Sequence, residues 1–427
     1  MFKTTHMNTI KFKYLALLFL IGMMTLNLSA YPIDGYGLTG IRRLLYLHMV
    51  LKGEIKATPP IAGAQLSLND IRLNLTGARG DSLNELPKPD SVLQKSIGAI
   101  FPNLDESYSI TALDITPGRP IRYACSQEKK QFQPGSVGKL VVVAGLFNEL
   151  KNIYPDSFEK RQALLKRRVV RGGKWAVYDE HTVPVFDTVS KKLVRRVINE
   201  NDSFSLYEWA DHMLSASNNG AANVIWRETI LMHVFGNKYP FISEAEANEY
   251  FSITPKSQLM QLAVEVVNGP VNDAGISREE WKLGSMFTGE AKKIIPGSGG
   301  SSVSPYGLMK YLVMLERGNI VDEPSSLEIK RLLYMTATRI RYASSAALTG
   351  ASVYFKSGSL YQCREEEGYT CGKYMGNISN YMNSVIIVEH PDGTTYMVGL
   401  MSNVLKRNSA ADHSALATMI DRAIRRL

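Results

Sequence analysis

The chain has 427 residues, 45% of them hydrophobic and 21% charged, and a formal net charge of +9. That suits one large globular domain or two smaller ones, with ample material for a core. No nucleic-acid motif accompanies the basic excess, the seven His show no metal-ligand spacing and no Gly-rich loop fits a phosphate site, so no nucleic-acid partner, metal or cofactor is expected.

Residues 1–30 read as a secretory signal peptide. Lys3, Lys11 and Lys13 form a basic n-region, Tyr14 to Leu26 is a short apolar run, and Leu28-Ser29-Ala30 offers small residues for cleavage. The alternative, an uncleaved membrane anchor, needs a longer run. No Cys follows the run, which argues against a lipoprotein. Residues 31–89 look like a separate N-terminal extension. Ile41 to Leu51 has helical periodicity, a possible strand follows Pro59-Pro60, and Gly77 to Pro89 reads as a loop. The extension carries no recognisable chemistry, and two roles stay open, a packing arm or a partner-binding element.

From about residue 90 the pattern changes. Asp90 caps a helix running to about Ile100. Tyr108 to Ile115 alternates like a strand, and Pro117-Gly118 turns into a second near Ile121 to Ala124. A mostly helical middle, about 136–335, follows. Its basic clusters at Lys166 to Arg171 and Lys191 to Arg196 suit a solvated face better than an anionic envelope surface. Ser352 to Leu360, Asn383 to Glu389 and Thr395 to Met401 read as strands, the last two joined across Pro391-Asp392-Gly393, and Ser414 to Leu427 as a closing amphipathic helix. Strands at both ends with helices between imply one antiparallel sheet closed by distant parts of the chain, with a helical subdomain. Cys363 and Cys371 flank an acidic loop that a disulfide would close. Cys125 is left over, expected buried and inert, and the spacing alone does not fix the pairing.

Three short strings carry candidate chemistry. In Ser136-Val137-Gly138-Lys139 the Ser and Lys share one face of a helix opening at Ser136, where a desolvated Lys can take the hydroxyl proton. Ser217-Asn218-Asn219 lies between helical stretches and offers a proton relay at Ser217 and an amide at Asn219. Lys356-Ser357-Gly358-Ser359 places a cation, a hydroxyl and a Gly on a strand edge that can hold a carboxylate. The N–H groups of Ser136 and Ser359 suggest an oxyanion hole. Each string alone also fits a bland structure: an N-capping Ser, a cap cluster, a Gly bulge.

In this order the strings are the S-x-x-K, S-x-N and K-[ST]-G elements of the penicillin-recognising serine hydrolases. From about residue 90 to 427 the chain resembles class A serine β-lactamases. The resemblance implies an α/β (α+β) fold, a five-stranded antiparallel sheet flanked by helices plus an all-helical subdomain, with the site between them. It implies Ser136 as acylated nucleophile, Lys139 as its base and Ser217 as relay. Asn219, Lys356, Ser357, Gly358 and Ser359 would bind substrate, and a bacterial cell-envelope protein, periplasmic or secreted, is expected. Two departures stand out. The stretch between Lys139 and Ser217 is long, so an insertion lies near the site rim. The E-x-x-L-N loop that carries the family's deacylating Glu is not found. It should fall within Phe287 to Gly300, where Glu290 is the only acid and so the candidate deacylation base. Three activities follow in order: a β-lactamase, a D,D-carboxypeptidase-like cell-wall peptidase acting on peptidoglycan peptides, and a non-hydrolytic penicillin-binding or interaction protein.

Overall fold

A computed structural model describes residues 32–334 and 339–426. The expected signal peptide lies outside the described residues. Among the described residues no helix is long and apolar enough to cross a membrane.

In chain order the strands are β1 (Ser109–Asp114), β2 (Arg122–Ser126), β3 (Val169–Arg171), β4 (Val183–Asp187), β5 (Lys192–Arg196), β6 (Ser203–Ser205), β7 (Trp281–Lys282), β8 (Ser302–Val303), β9 (Ser352–Gln362), β10 (Ser379–Glu389) and β11 (Thr395–Asn403). Five form one antiparallel sheet in the order β2-β1-β11-β10-β9. The first two strands of the domain are thus completed by its last three, and the sheet closes only when both ends of the chain meet.

Residue alternation explains why this sheet is covered on both faces. On β10, Ile386 and Val388 pack on one side with Leu93 and Ile97 of the helix Ser91–Gly98 and with Leu416 and Ile420 of the closing helix Ala410–Arg425. Their neighbours Val385 and Ile387 face the other way, into a larger core with the helix Lys139–Ile153. The Asp90 side chain caps its helix as expected, accepting from the N–H groups of Val92 and Leu93.

Several local expectations are corrected. No strand follows Pro59-Pro60. The chain makes a short 3-10 turn at Ala62–Ala64, where Gly63 lies so close to the backbone of Ala351 that a Cβ would sit 2.1 Å from its carbonyl oxygen. The nucleophile helix begins at Lys139, not Ser136; Gly135–Gly138 is a tighter 3-10 turn ahead of it. The middle of the chain is not purely helical, because the ribbons β3–β6, β4–β5 and β7–β8 interrupt it.

Residues 32–89 do not stand apart as a body of their own. Ile41, Leu44, Leu47, Ile71 and Leu75 belong to the same core cluster as the nucleophile helix. Arg43 pairs with Asp211 at 2.6 Å, both side chains fully buried. Farther along, Lys330 binds Glu316 and Glu389 and donates to the carbonyl of Arg72. Ion pairs this dry hold together only while both partners are present. Cys363 and Cys371 are joined in a disulfide. Cys125 is free but only half-buried; burial, with help from Glu128, pushes its thiol up to about 11, which leaves it unreactive.

Candidate active site

The nucleophile turn is pressed against the edge strand β9. Gly135 has φ +53, and a Cβ there would stand 2.7 Å from the carbonyl oxygen of Ser359. A Cβ on Gly358 would stand 2.2 Å from the carbonyl oxygen of Pro134 and 3.1 Å from the amide nitrogen of Ser136. Glycine on both sides is what allows this contact. The Asn383 side chain on β10 donates to the carbonyls of Gln133 and Pro134, tying the turn to the sheet. The backbone nitrogens of Ser136 and Ser359 therefore both lie at this contact, and both residues line the cleft.

All three strings meet here. Lys139 Nζ lies 2.9 Å from Ser136 Oγ, 2.7 Å from the Ser217 carbonyl and 2.7 Å from Asn219 Oδ1. Lys356 Nζ donates to Ser217 Oγ at 2.8 Å and to its neighbour's carbonyl, that of Ser357, at 2.9 Å. The hydroxyl of Ser217 is thus linked to Lys356 while its carbonyl faces Lys139. Ser217 has φ +58, a costly conformation for a side chain with a Cβ, of the kind found at functional sites.

Burial sets the charge state of both lysines. Desolvation lowers Lys139 to about 7, with the nearby Asp179 carboxylate opposing the shift. Desolvation, then the proximity of Lys139 and Arg341, holds Lys356 well below the ordinary lysine range. A neutral amine at Lys139, within hydrogen-bond reach of Ser136, is a base for its proton. An anionic substrate group beside Lys356 would restore the charge its surroundings discourage.

The cleft above these groups has a volume of about 540 Å³, the size of a small-ligand site. Ser136, Asn219 and Ser359 line it, and Ser217, Lys356, Ser357 and Gly358 line its inner end. Glu290 is not brought there. It sits on the short helix Gly289–Ile294 and binds Lys293 on the same helix, while Phe287 and Lys292 border the cleft instead. The ring of Phe287 lies 5.1 Å from Lys139 Nζ.

Other site groups were not singled out from sequence. Arg341 donates to the Gly358 carbonyl at 2.8 Å and to Ser359 Oγ at 3.0 Å, so it braces the edge strand. The stretch between the first two motifs, where an insertion is expected, carries the ribbon β4–β5 and a loop before it that lines the cleft. From this loop Asp179 accepts from the backbone N–H and side-chain amide of Asn219, at 2.5 and 3.1 Å. His181 Nδ1 is 2.6 Å from Asp179 Oδ1. Burial works to raise the Asp179 carboxyl, but His181, the Asn219 amide and Lys139 together hold it below its ordinary range. The only available signal was the unusual length between the first two motifs.

Comparison with known proteins agrees with this architecture. Residues 92–424 match the model of the beta-lactamase enzyme family. Similar solved structures include the TLA-3 extended-spectrum beta-lactamase (TM-score 0.51, 12% identity, covering 78% of this chain and 98% of that one). The TLA-1 extended-spectrum beta-lactamase has a TM-score of 0.51 and 12% identity, covering 79% of this chain and 98% of that one. PBP-A has a TM-score of 0.48 and 15% identity, covering 80% of this chain and 100% of that one. No curated protein gives a significant match. Identities this low carry the fold and no substrate. The five-stranded sheet with its helices is the β-lactamase/transpeptidase fold, and the family match spans it nearly end to end: the chain belongs to the beta-lactamase enzyme family, among the penicillin-recognising serine hydrolases.

Proposed function

We propose that the protein is an exported serine hydrolase that opens β-lactam amides through an acyl-enzyme on Ser136. The observation that carries this is the pairing of two desolvated lysines with two hydroxyls, Lys139 with Ser136 and Lys356 with Ser217. Neutral Lys139 takes the Ser136 proton as Oγ attacks the amide carbonyl. The amides of Ser136 and Ser359 receive the developing oxyanion. The proton passes through Ser217 to the leaving nitrogen, while Lys356, Ser357 and Asn219 hold the substrate's carboxylate and amide. Family membership supports this chemistry in outline; the choice of substrate is our reading.

Glu290's position favours one second reading. With that acid turned to Lys293, the loop Phe287 to Gly300 brings no carboxylate to the cleft, as a D,D-peptidase-like enzyme that penicillins inhibit would require. Two assays separate the readings. Sustained hydrolysis of a chromogenic cephalosporin supports the first. A long-lived penicillin adduct, together with D-alanine release from a pentapeptide, supports the second. A hydroxylamine-sensitive adduct on the tryptic peptide holding Ser136 is expected in both, and its absence would reject the nucleophile.

A further inference from the structure

We infer that His181, oriented by Asp179, is the proton acceptor for the water that releases the acyl group from Ser136. This rests on the acyl-enzyme reading above and goes beyond it, because it assigns the release step to the insertion rather than to the loop Phe287 to Gly300.

The insertion's loop is clamped onto the second motif from both sides. The buried Asn218 side chain donates to the His181 carbonyl at 2.8 Å, which fixes the backbone. Asp179 grips the backbone and side chain of Asn219, which fixes the carboxylate. The same carboxylate holds the imidazole through Nδ1 at 2.6 Å. In the neutral imidazole this contact assigns the ring proton to Nδ1 and leaves the Nε2 lone pair as the acceptor. The His181 side chain is 41% exposed, and His181 lines both the cleft and its inner end, as Ser136 does. A carboxylate held ionised behind an imidazole that lines a substrate cleft is an arrangement for moving a proton. A purely structural clamp on Asn219 needs only Asp179; it gives no reason for a histidine on the cleft side of that carboxylate.

The step balances without any outside reactant. Water oxygen forms a bond to the acyl carbon, and one water proton goes to His181 Nε2. As the tetrahedral species collapses, the bond from the acyl carbon to Ser136 Oγ breaks. The imidazolium returns its proton to that oxygen, and the product acid keeps the second water proton until it ionises. Asp179 is a positioning residue in this scheme, since it acts through His181 and Asn219.

The test uses the full chain and a fluorescent penicillin, with acylation and adduct lifetime followed separately by gel and intact mass. For His181→Ala the acylation rate should stay within about threefold of wild type. The adduct should last about 10²–10⁴ times longer, the usual worth of one general base. Added imidazole should shorten that lifetime again; a structural loss would not respond in this way. Asp179→Asn should lengthen the lifetime by a smaller factor. Should His181→Ala unfold, His181→Asn, which keeps a polar group of similar bulk, carries the same prediction. An unchanged adduct lifetime, a slowed release that imidazole does not rescue, or a wild-type adduct that never turns over would each overturn this assignment while leaving Ser136 acylation standing. A wild-type chain that takes no adduct at all would overturn the acyl-enzyme reading and this one with it.

Discussion

Two walls face each other across the cleft, and they are built on different principles. One is the nucleophile turn packed on β9. Its parts are short strings, Ser136 to Lys139 and Lys356 to Ser359, and its geometry is enforced by glycines that let two backbones touch. The other is the S-x-N turn with the insertion loop leaning on it, where Asp179 binds Asn219 across 40 positions of sequence. Local spacing marks each string of the first wall in the sequence, although the two strings meet only in the folded chain. The contact of Asp179 with Asn219 in the second lies outside every motif, so chemistry placed there is free to differ between relatives that share them all.

The first wall predicts the largest effect. Ser136→Ala should abolish covalent labelling by penicillin, and persistent labelling of that variant would mean that another hydroxyl is the nucleophile. Next comes its base. Lys139→Arg keeps a charge but loses the titratable amine, and acylation should fall about 10²–10⁴-fold. In the wild-type protein acylation should rise with pH, because the active form is the neutral amine and the group sits at about 7. Roughly a tenth of the molecules carry it at pH 6 and nine-tenths at pH 8. Stopped-flow labelling between these values should show an increase approaching tenfold and then a plateau. A flat profile would mean that Lys139 is not the proton acceptor.

The second wall rests on the N-terminal arm, and that dependence can be broken. Asp211 lies on the helix Leu206–Leu214, which runs straight into the S-x-N turn, and the carbonyl of His212 accepts from the Asn218 N–H at 3.0 Å. Arg43 from the arm neutralises Asp211 where neither meets water. Arg43→Ala should therefore cost about 3–5 kcal/mol, the usual penalty for stranding one member of a buried pair. A urea melt would read this. The double variant Arg43→Met with Asp211→Leu should recover much of the loss, since an apolar pair of similar size leaves no buried charge. A smaller effect belongs to the first wall again. Gly358→Ala forces a methyl against the Pro134 carbonyl, at about 1–3 kcal/mol of overpacking strain, and should slow acylation by shifting the Ser136 turn.

How far the sequence could be read follows the same division. The strands at both ends and the capped helix after Asp90 rest on local periodicity and turn chemistry, while the convergence of Ser136, Lys139, Ser217 and Lys356 was implied by the family resemblance that their short motifs carry. Each of these leaves a mark in a few consecutive residues. The role of residues 31–89 could not be read, because burying Arg43 against Asp211 is a relation between distant positions. Arg341 and Asp179 escaped for the same reason: an isolated Arg or Asp in a polar loop looks solvated until its partner is known. Helix initiation was misplaced by three residues at Ser136, where tight packing on β9 favours a 3-10 turn over the α-helix that the apolar run suggests.

Glu290 offers the sharpest contrast between the walls with the smallest expected effect. From sequence alone it was the one acid in the loop where the family's deacylating Glu would lie. In the folded chain it occupies the first turn of the helix Gly289–Ile294, where a carboxylate is favoured by the helix dipole, and it pairs with the well-exposed Lys293. An exposed pair of this kind contributes at most about 1 kcal/mol. Glu290→Gln should leave stability nearly unchanged and shift penicillin adduct lifetime by less than about twofold. Paired with His181→Ala in one experiment, it asks which wall supplies the base. A lifetime lengthened by Glu290→Gln and not by His181→Ala would return the release step to the loop between Phe287 and Gly300, and would mean that this helix moves inward once the acyl group is in place.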